Sequence, residues 1–212
     1  MKTKKFTTSQ LTILGLMAGI LFLMAYTPLG YLNIGPLAVT FNVIPVAVCA
    51  IVLGPTGGAI AGAVFGLTSF MQAIGIGGVS ALGSALFQIN PFMTAVQCFG
   101  PRILDGICIG FIYRAVHKKA NTYVSCAVTG FFSAFLNTLF FMTALIVMFG
   151  NTELIRNLMG GHNIIVGCCL MVGVNAISEM VSSTIITAAV GTALSKAHLI
   201  PAVQIIKTDT AA

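Results

Sequence analysis

The chain has 212 residues, of which 58% are hydrophobic and 7% charged, with a mean hydropathy of +1.04. A soluble domain carries about 25% charged residues, so a mainly aqueous surface is excluded. The net charge of +6 does not point to nucleic acid, because the cations gather at the two ends and in one connection.

Several runs of about 20 apolar residues predict an all-α polytopic membrane protein. Six transmembrane helices fit the pattern, in a single membrane domain covering 1–212 with short ends at about 1–7 and 197–212. No polar segment is long enough to bury a core of its own. Six spans put Lys2, Lys4, Lys5, Arg114, Lys118, Lys119, Lys196 and Lys207 on one side, with Arg156 opposite. The excess of cations assigns that side, and both termini, to the cytoplasm. The start MKTKKFTTSQ has no small-residue cleavage site after its apolar run and reads as a retained first helix.

In chain order, helix one runs from Thr8 to Tyr26. Its Gly15 and Gly19, with Ala18 beside them, make a flat small-residue face. Such a face suits packing within the bundle or docking to a separate membrane subunit. Thr27 to Phe41 is an outer loop with a Gly35-Pro36 turn, and Leu37 to Phe41 is suited to a short extended piece. Asn42 to Leu53 is short for a span unless residues from Leu37 are added. GPTGG, Gly54 to Gly58, is a tight cytoplasmic turn. Helix three follows to Ile74, with Ala59, Gly62, Ala63 and Gly66 on a close-packing face and Gln72 near its outer end. Gly75 to Gln88 reads as a glycine-rich outer connection.

Helix four, Asn90 to Lys119, crosses the bilayer with charges inside it. At 1.5 Å per residue, Arg102 lies roughly 18 Å and Asp105 roughly 13 Å from Arg114, near the middle of a layer about 30 Å thick. A charge there costs about 3 kcal/mol on insertion scales and faces protein or a wet cavity. Pro101 has no N–H for the Gln97 carbonyl and is expected to kink the helix. Helix five, Tyr123 to Phe149, carries Ser133, Asn137 and Thr138 in its outer half. The next loop places Glu153 and Arg156 one turn apart and reads as one or two helical turns, with His162 solvated beyond them. Helix six, Ile164 to Leu194, carries Asn175 and Glu179 on one face.

The six cysteines form no CxxC pair and no ligand set with histidine, so no metal and no cofactor is expected. Catalysis lacks its parts: all three histidines sit in loops or at helix ends, and HExxH and a Walker A sequence are absent. Arg102, Asp105, Asn137, Asn175 and Glu179 instead describe an outward-opening polar pocket, with Gln97, Asn42 and Gln72 completing the candidate set. Arginine's planar fork suits a carboxylate or phosphate, while amides and Glu179 suit hydroxyls or an amide. Neutralisation of Arg102 by Asp105 or Glu179, with the asparagines as interhelical glue, is the competing reading.

The run GPRILDGICIGFIYRAVHKK, Gly100 to Lys119, resembles a helix of the vitamin-binding S components of energy-coupling factor (ECF) transporters. Asn42 to Phe70 is similar to that family's second and third helices around a Gly-Pro turn, and NAISEMVSSTIITAAV, Asn175 to Val190, to its sixth. The resemblance implies six helices, a pocket near the outer face and a first loop acting as a lid. It also implies a transmembrane coupling protein and two cytoplasmic ATPases as partners, with delivery by toppling of the binding subunit in the membrane. Where that family often shows Ala-xxx-Ala on helix one, this chain has Gly15 and Gly19. The absence of Trp argues against stacking a flat ring. An arginine beside amides suits a small hydroxylated acid, and the helix-six pattern resembles pantothenate-type members, with riboflavin as runner-up. A stand-alone secondary transporter, with a proton carried by Asp105 or Glu179, is the alternative from another class.

Overall fold

The structure, a computed structural model, describes residues 7–27, 31–33, 38–77, 80–158 and 164–200. The Gly35-Pro36 turn, His162 and the terminal lysines Lys2, Lys4, Lys5 and Lys207 lie outside the described residues. Helix α1 (Thr8–Ala25) is followed by a two-stranded ribbon, β1 (Tyr31–Asn33) and β2 (Ala38–Thr40). Then come α2 (Val43–Ala73), α3 (Ala81–Ile89), α4 (Pro91–His117), α5 (Thr122–Phe149), α6 (Glu153–Leu158) and α7 (Ile164–Lys196). Among the described residues five segments are long and apolar enough to cross a membrane: α1, α2, α4, α5 and the Asn175–Lys196 part of α7. The expected all-α membrane bundle is what the chain forms, with β1 and β2 its one small addition.

Helix α2 is two arms. Gly54 has φ 73° and ψ −164°, outside helical geometry and in a region that favours glycine. Pro55 follows, where its missing N–H opens the second arm at little cost. The arms fold onto each other, so Ala50 lies against Gly58, and Val43, Ala47, Ala50, Ala61 and Phe65 share one core cluster. The first arm starts at Val43; residues from Leu37 do not lengthen it, since Ala38–Thr40 pairs with Tyr31–Asn33 as an antiparallel strand.

The second arm lies along α4 with glycines at the crossing. A side chain on Gly58 would strike the Gly106 carbonyl, and one on Gly106 the Gly58 carbonyl. One turn outward Gly62 lies on the Arg102 carbonyl, and the next turn brings Gly66 against Cys98 and Phe99. Backbones can approach this closely only where no Cβ intervenes. The same register brings Gly110 onto Pro55 and the Arg114 guanidinium over Gly54. Across the bundle Gly130 of α5 meets Ser183 and Thr187 of α7, and Gly191 of α7 meets Cys126.

At the end of the bundle away from Gly54, the outer end in the expected orientation, the connection after α2 contains more structure than its glycines suggest. Ser80 accepts from the Gly83 N–H and caps α3. Leu86 of α3 joins Met142, Leu145 and Phe149 of α5 and Ile155 of α6 in a second cluster. The expected helical turns after helix five are α6. Helix α1 is fixed at its outer end, where Gln72 Nε2 donates to the Ala25 carbonyl at 2.6 Å. Its Gly15 and Gly19 have no atom within 4 Å of where a Cβ would stand, and both are exposed.

The α2–α4 crossing should tolerate no side chain. Gly62→Val, which must displace the Arg102 backbone, is expected to cost about 1–3 kcal/mol or more. Gly100→Ala, on α4 with nothing within 4 Å, should be neutral or slightly stabilising. Thermal unfolding of the purified variants in detergent checks the contrast, and equal midpoints would refute the close crossing.

Candidate functional site

The helical rise sets the depth of each polar residue. Gly110 lies on Pro55, which fixes a common level for α2 and α4. Asn42 lies twelve residues above Gly54, roughly 18 Å, while the Arg102 backbone lies eight above Gly110, roughly 12 Å. The Arg102 guanidinium reaches up to the Gln97 carbonyl, roughly 18–20 Å above that level. Gly191, Cys126 and Ile51 meet near the same end. From there Glu179 rises twelve residues along α7 and Asn137 eleven along α5, about 16–18 Å. Four helices therefore deliver a cation, a carboxylate and two amides to one layer of the membrane. All four are buried: Arg102 at 9% exposure, Glu179 and Asn137 at 5%, Asn42 at 0%.

Arg102 is held from three sides. Its guanidinium carbon lies 4.6 Å from the Phe141 ring centroid and 5.4 Å from that of Phe65. Each aromatic face attracts the cation through its quadrupole. Nη1 donates to the Gln97 carbonyl at 2.8 Å. That carbonyl is the one Pro101 leaves without its helical donor, so the side chain after the proline satisfies what the proline cannot. Helix α4 consequently runs as one helix through Pro101.

Glu179 engages a backbone group. Its Oε1 accepts from the Thr40 backbone N–H at 2.6 Å, fastening β2 of the outer ribbon to α7. Thr40 Oγ1 accepts in turn from the Asn42 N–H at 3.2 Å. Ser133 of α5 donates to the Val43 carbonyl at 3.3 Å. The start of α2 is thus clamped between α5 and α7, with Asn42 in the clamp.

Other candidates fall at different depths. Asp105 is buried at 2% exposure one turn inward of Arg102, and its Oδ1 has no hydrogen-bond partner among the described residues. Gln97 lies outward of Arg102 and joins α4 to α5, Nε2 donating to the Phe141 carbonyl at 2.9 Å. Asn175, one turn outward of Glu179, is buried at 6% exposure. Gln72 stands apart: ten residues beyond Gly62, it lies roughly 15 Å outward of Arg102 and ties α1 to α2. Sequence reasoning missed Phe65 and Phe141 as the walls around the cation, and Thr40, which acts through a backbone group that no side-chain pattern signals. No group of three or more histidine, cysteine or acidic side chains fit to hold a metal occurs among the described residues.

A buried, oriented cation, two amides and a carboxylate fastened to a ribbon, all inside an apolar helical bundle, mark a membrane protein with a polar interior. The family model for the ECF transporter substrate-specific component matches residues 9–191. The chain belongs to that family. It is 33% identical over 178 residues to a protein named pantothenate transporter PanT from Leuconostoc mesenteroides, covering 81% of each chain. It is also similar to the pantothenic acid transporter PanT of Lactococcus lactis subsp. cremoris, 28% identical over 208 residues, covering 92% of this chain and 98% of that one. The protein is accordingly a multi-pass component of a bacterial membrane transport system.

The fastening of the ribbon is open to direct measurement. Glu179→Ala removes the acceptor of a charge-assisted bond of about 1.5–3 kcal/mol. Amide hydrogen exchange at Thr40 should accelerate by roughly ten- to a hundredfold, with exchange in the core of α4 unchanged. Unaltered protection at Thr40 would show that something other than Glu179 holds the strand.

Proposed function

We propose that this chain captures a small hydroxylated carboxylic acid of the pantothenate type from outside the cell. It then works as the binding subunit of an ATP-driven importer, with a transmembrane coupling protein and two cytoplasmic ATPases. The observation that carries the reading is the buried Arg102 guanidinium, oriented by Phe65, Phe141 and the Gln97 carbonyl in a layer shared with Asn42 and Asn137. A planar fork in fixed orientation binds a carboxylate with two parallel charge-assisted bonds. The names of the two bacterial relatives support pantothenate over riboflavin, and a chain without Trp is poorly equipped to stack a large flat ring.

The β1–β2 ribbon acts as the lid: fastened through Glu179 it closes the polar layer from the outside, and released it admits the solute. The end bearing Arg114, Lys118, Lys119 and Lys196 faces the cytoplasm, as the distribution of cations requires. The exposed face of α1 around Gly15, Ala18 and Gly19 is the docking surface for the coupling protein. Six spans and cytoplasmic termini follow from counting the two arms of α2 separately.

Two buried carboxylates beside one cation are the feature that favours the second reading, proton-coupled transport without ATPase partners. Uptake of labelled solute in cells lacking the ATPases decides between them. The proposal expects none above background, whereas uptake that persists and collapses with an uncoupler supports the alternative.

Arg102→Ala should weaken pantothenate binding by at least about 2 kcal/mol, close to thirtyfold. Arg102→Lys, which keeps the charge and loses the fork, should fall between. Calorimetric titration in detergent checks both, and full affinity in the alanine variant would remove Arg102 as the carboxylate anchor. Gly15→Leu should abolish co-purification with the coupling protein while sparing solute binding; intact co-purification would assign the docking surface elsewhere.

A further inference from the structure

Asn42 occupies a position where asparagine ordinarily caps a helix, and it does not cap. Asn90 and Asn121 precede α4 and α5 with extended backbones, and each side chain accepts from a backbone N–H one turn on. Thr7 and Ser80 do the same for α1 and α3. Asn42 has φ −64° and ψ −16°, inside the helical region, and makes no side-chain cap bond. Its amide is directed elsewhere. The residue is 0% exposed, and neither Oδ1 nor Nδ2 has a hydrogen-bond partner among the described residues. Asn137 Oδ1, in the same layer, likewise has none.

A buried primary amide with both ends unpaired is costly, and it is retained where a partner arrives from outside the chain. The chemistry of that partner follows from the atoms left over. Asn42 offers N–H donors and a carbonyl acceptor, and Asn137 a second acceptor. A carboxylate or an isolated carbonyl only accepts, and would leave both amide oxygens facing lone pairs. A hydroxyl donates and accepts at once, so hydroxyl groups pair this set. We infer that Asn42 is the specificity-determining residue for the hydroxyl-bearing end of the solute, with Asn137 as a second acceptor, opposite the carboxylate end at Arg102.

The inference rests on the reading of the pocket given above, and the test separates the two. Pantothenate and its dideoxy analogue, which keeps carboxylate, amide and branched carbon but lacks both hydroxyls, are titrated into the full-length protein. Wild type should bind the analogue roughly tenfold or more weakly than pantothenate. Asn42→Ala and Asn42→Leu should lose most of the preference and discriminate between the two compounds by less than about threefold, the remainder resting on Asn137. The thermal midpoint of either variant without ligand should hold or rise, since an unpaired buried amide has been removed; a purely structural asparagine would lower it. A variant that still discriminates tenfold, or a midpoint that falls with discrimination intact, overturns the role of Asn42 alone. A wild type that binds neither compound overturns the pocket reading and this inference with it.

Discussion

The glycine contact between the second arm of α2 and α4 is the constraint on which the rest of this structure depends. Gly58, Gly62 and Gly66 recur every fourth residue and meet Gly106, Arg102 and Cys98 in antiparallel order. Because the Arg102 carbonyl lies directly on Gly62, the height of the cation is set by backbone against backbone, with no side chain that can yield. Phe65, one turn from Gly62, then reaches the guanidinium from the same arm. In hydrocarbon, where apolar surface gives helices no reason to associate, such close packing is a principal source of cohesion. Position of charge and stability of the bundle are therefore the same property of these two helices.

The electrostatics of the layer are organised by scarcity. One arginine faces two buried carboxylates, and the three belong to two helices that pack little against each other. Arg102 and Asp105 share α4, whereas Glu179 comes from α7 and accepts from the Thr40 N–H. In the proposed function one layer of charge serves both the solute site and the lid, so what neutralises Arg102 alters how strongly Glu179 holds the ribbon. Such linkage requires only that both partners draw on one cation.

Much of this was readable from residue types. The apolar helices, the paired strand before Phe41, the helical turns after Phe149 and the burial of Arg102 follow from apolar run length, turn residues and the cost of a charge in hydrocarbon. Helix α3 was not legible, because glycines before Ser80 obscured a short amphipathic element whose only local signal is its serine cap. At Pro101 the sequence shows the lost backbone donor but not its replacement: Arg102, the next residue, donates to the Gln97 carbonyl. Gln72 looked like a site residue because a polar side chain in a span invites that reading, yet it fastens two helix ends. The silence of Asn42 as a cap could be seen only once its backbone angles were known.

The brevity of the first arm of α2 has its own consequence. From Gly54 to Asn42 it climbs roughly 18 Å, whereas the second arm, Pro55 to Ala73, climbs roughly 27 Å, so the ribbon above the first arm is seated below the end of the second, like a stopper pressed into the neck of a flask. Lipid tails offer no hydrogen bonds to strands at that depth. Strand edges seated there need partners from the protein, and the Glu179 carboxylate is one, accepting from the Thr40 N–H.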